Sequence, residues 1–168
     1  MNRQSTEQAA EASHERSRKM STPLEQTQRH PLVQQLKEFY SGFSLDTITA
    51  LDAIYTQDVE FRDPVHTMHG CLAVKAYMRR MATNMTHYRI HYVDELVGSN
   101  SAYLTWEMEV GHPRLKGGKP FLVRGMTQIK FTGKVYYHED SYDLGALVYE
   151  QVPVLGVMAR GLKQRLAG

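Results

Sequence analysis

The chain has 168 residues, of which 42% are apolar and 23% charged, with a formal net charge of +2. That is enough for one domain with a real core, and the charge is too small to argue for a nucleic-acid partner. A single cysteine, Cys71, excludes an intrachain disulfide, and no apolar run reaches the ~18 residues that a membrane span needs.

The first residues lack the apolar run of a signal peptide, so the cytoplasm is the expected location. Residues 1–28 carry only Met1, Met20 and Leu24 as large apolar side chains. Such a segment cannot offset the entropy of ordering itself and reads as a flexible polar tail. The folded domain is expected over residues 29–168.

Pro31 suits the first turn of a helix, and Leu32, Val33, Leu36, Phe39 and Tyr40 then recur at helical spacing until Gly42. Ser44 is placed to cap a second helix, with Asp46 in its first turn and Leu45, Ile48, Leu51, Ile54 and Tyr55 as its apolar stripe. Val59–Phe61 reads as a short strand that Asp63-Pro64 breaks. Asp63 there is a turn residue or a pocket residue. Cys71, Val74, Met78, Met81 and Met85 mark the buried stripe of a third helix, which Leu72 and Tyr77 widen. Its methionines fill a core or line a ligand cavity.

Three long strands follow, within 87–97, 101–111 and 121–131. In the second, Ala102, Leu104, Trp106, Met108 and Val110 alternate with polar residues and mark the inner face. Residues 112–120 form a long basic loop. Thr132-Gly133 is a turn, after which Val135–Asp143 pairs back as a hairpin. With a two-residue turn, Thr127 faces His138, Gly125 faces Asp140 and Val123 faces Tyr142. The shared inner face then collects Thr127, Tyr136, His138, Asp140 and Tyr142, and Gly125 leaves room beside Asp140. Arg124 and Glu139 are expected to pair on the outer face. Pro153 opens a last helix with Leu155, Met158, Leu162 and Leu166 inside and Arg160, Lys163 and Arg165 outside. A basic amphipathic helix can lie on an anionic membrane, or close a domain with its cations in solvent.

Helices first and a curved sheet after them describe an α+β domain. Three stretches carry a resemblance: Ala53-Ile-Tyr-Thr-Gln-Asp-Val-Glu-Phe-Arg-Asp-Pro64, Gly70-Cys-Leu-Ala-Val-Lys-Ala-Tyr77 and Gly133-Lys-Val-Tyr-Tyr-His-Glu-Asp-Ser-Tyr-Asp143. In this order they resemble the nuclear transport factor 2-like superfamily, in its SnoaL-like, polyketide cyclase-like branch, over roughly residues 30 to 150. The resemblance implies a cone: a strongly curved mixed or antiparallel sheet wrapped around three N-terminal helices, with a pocket at the open end. It also implies a homodimer formed through the sheet. In the cyclase branch an Asp on the closing strand is the general acid/base and a His on the same strand assists, which points to Asp140 and His138. The ketosteroid isomerase-like branch uses a Tyr and two carboxyl groups; Tyr40, Tyr55 and Asp63 are available for such roles.

A carboxylate in an apolar pocket has a use. Desolvation raises its proton affinity, and a poised acceptor can take a hydrogen from beside a carbonyl. Neither a GxGxxG stretch nor a P-loop lysine is present, so the expected chemistry needs no cofactor. The expected ligand is small, apolar and carbonyl-bearing, with Tyr40, Tyr55, Asp63, Trp106, Thr127, Tyr136 and Tyr142 as pocket lining. The alternative is a non-catalytic ligand-binding or dimerisation module, lipid-associated through the basic last helix. A metal site from His66, His69, His138, Asp63 and Asp140 is a third reading; the residue types fit, but their spacing matches no metal motif and the resemblance implies none.

Overall fold

A computed structural model describes residues 30–143. The expected polar tail over residues 1–28 and the expected basic helix after Pro153, with any membrane contact it would make, lie outside the described residues. Among those residues no helix is long and apolar enough to cross a membrane.

The first helix, α1, is Pro31–Ser41. Proline sits at its start, where an amide proton would have no partner, and His30 Nδ1 accepts from the Leu32 N–H at 3.3 Å. Leu32, Val33, Leu36 and Phe39 are its buried stripe, and Gly42 caps its end. The expected second helix from Ser44 shrinks to a 3-10 turn, Ile48–Ala50, and one turn of α-helix, α2, Leu51–Ile54. The Thr47 hydroxyl explains the late start. It accepts from the Ser44 N–H at 3.0 Å and so holds the preceding backbone in a turn. Leu45 is left exposed, and Tyr55, placed by its spacing on the helix, instead opens a strand.

That strand, β1, spans Tyr55–Arg62. Asp63-Pro64 ends it, and β2, Thr67–His69, folds back antiparallel on it. Gly70, at φ 90°, makes the turn into α3, Cys71–Asn84. A side chain there would be strained, which is why glycine stands at this junction. Cys71, Val74 and Met78 are buried. Leu72 does not widen the stripe: it is 75% exposed, being 100° around the helix from Cys71.

The strands β3 (His87–Val97), β4 (Ser101–Gly111), β5 (Phe121–Thr132) and β6 (Lys134–Tyr142) form a continuous antiparallel run. The six-stranded sheet has the order β2-β1-β6-β5-β4-β3. It is mixed, because β1 lies parallel to β6. All three helices contribute to a core with the inner sheet face, around Leu36, Leu51, Val74, Val59, Leu104 and Ile129. A second cluster, Trp106, Val110, Phe121 and Val123, fills the far end.

The hairpin register differs from the expected one. Thr132 pairs with Lys134 and Phe131 with Val135, so one residue, Gly133, makes the bend at φ 76°. A bulge follows, and beyond it Ile129 faces His138, Thr127 faces Asp140 and Gly125 faces Tyr142. Relative to expectation β6 has slid by two residues, a whole side-chain period. His138, Asp140 and Tyr142 therefore keep the inner face. Before the bulge the faces exchange: Val135 is buried, and Tyr136, expected in the pocket, is 43% exposed on the outside. The same slide moves Glu139 opposite Gln128, so Arg124 pairs with Glu107 of β4 at 2.7 Å instead of with Glu139.

Candidate functional site

Six side chains from five elements form one hydrogen-bonded chain. The Tyr40 and Tyr55 hydroxyls are 3.0 Å apart, and the Tyr55 hydroxyl is 2.8 Å from His138 Nδ1. His138 Nε2 is 3.0 Å from Asp140 Oδ1. The Thr127 hydroxyl donates to the same oxygen at 2.5 Å and accepts from Trp106 Nε1–H at 2.9 Å. The directions follow from the chemistry. A carboxylate only accepts, so the neutral imidazole carries its proton on Nε2 and donates to Asp140. Nδ1 must then accept from Tyr55, which in turn accepts from Tyr40. Burial holds both phenols well above their ordinary pKa and so keeps them protonated as donors.

The strand period makes this possible. His138 and Asp140 are two apart on β6, and Thr127 is directly across on β5. Phe61 of β1 stacks on the His138 ring at 4.6 Å, and the Tyr40 and Tyr55 rings flank it. His138 is 1% exposed and has no freedom to turn.

Asp140 is the point where this chain meets open space. Its side chain is 19% exposed and lines a cavity of about 440 Å³ at the junction of the two apolar clusters. Both of its hydrogen bonds end on Oδ1. Among the described residues Oδ2 has no hydrogen-bond partner. The cavity wall is otherwise mostly apolar, with Phe61, Met78, Met81, Met85, Trp106 and Phe121 in it. That is the composition of a small-molecule site, and the volume is in the usual range.

Of the expected pocket residues, Tyr40, Asp63, Trp106, Tyr142 and Asp140 line this cavity. Thr127 lines a small recess beside it, which Tyr40, Trp106 and Asp140 share. Tyr55 and His138 are in neither wall; they stand behind Asp140 in the core. Asp63 reaches the cavity with both of its oxygens already engaged. Oδ1 accepts from the Val65 and His66 N–H groups, both at 2.7 Å, and Oδ2 from the Tyr77 hydroxyl at 2.5 Å. Tyr142 is different: it lines the cavity, and among the described residues its hydroxyl is unpaired. Burial, then the charges of Asp63 and Asp140, raise its pKa, so it remains a donor. The five expected metal-ligand candidates do not converge; among the described residues no three His, Cys, Asp or Glu side chains could hold an ion.

Several site residues were not singled out from the sequence. Tyr88, Ile90 and Tyr92 line the recess, and their spacing of two within β3 was the available signal. Arg80, Asn84, His112 and Leu115 come from the exposed side of α3 and from the basic loop. No periodicity places such residues. The room expected at Gly125 beside Asp140 is taken by Trp106. A Cβ on Gly125 would lie 2.3 Å from Trp106 Cη2 and 2.9 Å from the Ser141 carbonyl oxygen. Gly125→Ala is therefore expected to push the indole off Thr127 and to cost about 2 kcal/mol, a drop in melting temperature of roughly 8 °C. A melting curve that matches the parent, with unchanged tryptophan emission, would show that the indole is not held there.

Comparison with known proteins agrees with this architecture. A family model for the SnoaL-like domain matches residues 36–138. Among solved structures, a nuclear transport factor 2-like protein of unknown function from Burkholderia pseudomallei has 18% identity and a TM-score of 0.61, covering 70% of this chain and 94% of its own. A hypothetical protein with a ketosteroid isomerase-like fold from Catenulispora acidiphila, solved with trimethylamine, has 15% identity and a TM-score of 0.61, covering 72% and 91%. A candidate SnoaL-like polyketide cyclase from Jannaschia sp. has 12% identity and a TM-score of 0.61, covering 71% and 92%. At these identities the likeness is one of fold. No curated protein matches the sequence.

Proposed function

The chain belongs to the SnoaL-like domain family, and on that premise we propose that it binds a small, apolar, carbonyl-bearing molecule and moves a proton on it, with Asp140 as general acid/base. One observation carries this reading. Asp140 is fixed through Oδ1 by Thr127 and His138, Oδ2 has no hydrogen-bond partner among the described residues, and the side chain lines an apolar cavity. A base held that way meets its substrate already oriented and partly desolvated.

The step is an enolisation. Asp140 Oδ2 takes a proton from the carbon beside the carbonyl, the C–H electron pair becomes the new C=C bond, and the carbonyl π pair moves onto oxygen. Tyr142 donates its unpaired hydroxyl to that oxygen. Where the substrate has a C=C bond beyond that carbon, the enolate is a dienolate: Asp140 returns the proton to its far carbon, the double bond shifts and the C=O reforms, which is an isomerisation. Alternatively the enolate carbon attacks a second carbonyl of the same molecule, and the new alkoxide takes the proton, which is a cyclisation. His138 touches no substrate in this scheme. It is a positioning residue that holds the carboxylate, and the Tyr55–Tyr40 pair behind it fixes its tautomer. No step needs a cofactor.

Deuterium uptake tests the proposal. With a panel of compact cyclic ketones in heavy water, the protein is expected to accelerate exchange at the carbon beside the carbonyl. The methionine-rich wall, soft and able to reshape around varied ligands, supports a second reading in which the cavity only binds its ligand. Binding without any exchange in that panel favours this second reading over the first.

The outer sheet face supports a homodimer. Leu96 and Tyr103 are cross-strand neighbours there, Met126 lies two residues along on β5, and all three are exposed. Light scattering is expected to give twice the chain mass, and Met126→Lys with Leu96→Lys is expected to halve it. A monomer mass for the parent at working concentration would remove this interface.

A further inference from the structure

The cavity has a polarity that the proton-transfer reading does not use. Its lining holds five ionisable side chains other than tyrosine: Asp63, His66, Arg80, His112 and Asp140. Asp63 accepts from two backbone amides and from Tyr77, and the His66 ring nitrogen Nδ1 lies 3.4 Å from its Oδ1. Its charge is shared with that imidazole and is not paired with a guanidinium among the described residues. Among the described residues Arg80 makes no ion pair, although the guanidinium carries five donors and no acceptor. The same inventory settles His112. Its Nδ1 accepts from the Arg114 N–H at 3.1 Å, so in the neutral ring the proton is on Nε2. Asn84 turns its amide nitrogen back onto the Arg80 carbonyl oxygen at 2.7 Å. Arg80 and Asn84 are exposed and His112 partly so, whereas Asp140 sits among buried rings. The cavity therefore has cationic, donor-rich chemistry at its open end and one unpaired carboxylate oxygen inside, with an apolar wall between.

From this arrangement we infer that the ligand is an apolar acid, whose carboxylate is bound by Arg80 and His112 at the mouth while its carbonyl-bearing body reaches Asp140. The inference rests on the proposal that this cavity is the working site, and it names the substrate class. A neutral apolar molecule would leave the guanidinium with nothing but water at the rim. A carboxylate pairs with it in a planar, bidentate fashion and also accepts from His112. Anchoring at the mouth fixes which carbon of the body lies against Asp140 Oδ2, so the same contact that selects the ligand would also set the position of attack.

The test uses the full chain and a pair of probes of one shape, adamantanecarboxylate and adamantanecarboxamide. Neither absorbs where tryptophan does, and the only tryptophan, Trp106, lines the cavity and reports occupancy. The carboxylate is expected to bind about tenfold more tightly than the amide, the scale of one charge-assisted pair shielded by ligand. Arg80→Gln is expected to remove that preference by weakening the carboxylate alone, and Arg80→Lys to keep part of it. Added salt should narrow the gap in the parent. Arg80 is on the exposed side of α3, so neither substitution removes packing. Equal binding of the two probes, or a preference that survives Arg80→Gln, overturns acid recognition while the cavity reading stands, because the amide still reports occupancy. Absence of a tryptophan response to either probe overturns both.

Discussion

Asp140→Asn is expected to slow deuterium exchange on a bound ketone about a thousandfold while leaving the fold and the affinity for ketone nearly unchanged. The magnitude is that of a well-placed general base, which contributes roughly 10²–10⁴ in rate. The substitution is close to isosteric. An amide oxygen in the Oδ1 position can still accept from Thr127 and from His138, so the chain from Tyr40 to Trp106 keeps its acceptor. What changes is the second position, where an amide nitrogen, which cannot take a proton, replaces Oδ2. A structural acid would behave in the opposite way, with exchange unaffected and the melting temperature reduced. Equal exchange rates in parent and variant would take Asp140 out of the mechanism. Loss of rate together with loss of the folded baseline in circular dichroism would leave the structural role as the better account.

Raising the pH beyond about 10 is expected to unfold the protein over a narrow range. Tyr40, Tyr55, Tyr77, Tyr88 and Tyr92 all have their pKa raised above that of a free phenol, in each case first by removal from water and further by the negative charge of Asp140. In the unfolded chain these phenols titrate near 10. Between that value and the higher folded ones, the unfolded state holds fewer protons than the folded state, so stability falls as pH rises. It is fully present below pH 10 and is lost on the way to the folded pKa values. Each group contributes up to about 1.4 kcal/mol per pH unit, so five could remove a typical stability of about 5–15 kcal/mol within roughly two units. Tyrosinate absorbance should therefore appear together with the loss of far-ultraviolet circular dichroism, and Tyr92→Phe should make the transition less steep. Gradual tyrosinate formation in a protein that stays folded would show that these phenols are open to solvent.

The inward placement of His138 and Asp140 was legible because a strand has a period of two and because their neighbours told which face was inside. That inference survived a wrong register, since an error of two residues leaves every side chain on its own face. Tyr136 shows the limit of the same argument. One inserted residue between the turn and Tyr137 exchanged the faces locally, and nothing in the alternation of residue types announces a bulge. The second helix shows another limit. Its apolar spacing was helical, yet a hydroxyl at Thr47 and pairing of Tyr55 with Val135 decided the local backbone.

The sequence by itself determined the order and kind of nearly every element, the inner faces of the long strands, and family membership, because periodicity and turn chemistry are local properties of the chain. The tertiary structure alone decided how the cavity is built. It set Tyr55 and His138 behind the wall rather than in it, filled the space at Gly125 with the Trp106 ring, spent Asp63 on a turn, and brought Arg80 and His112 to the mouth. Each of these depends on contacts between residues far apart in the chain, whose distances no pattern along it encodes.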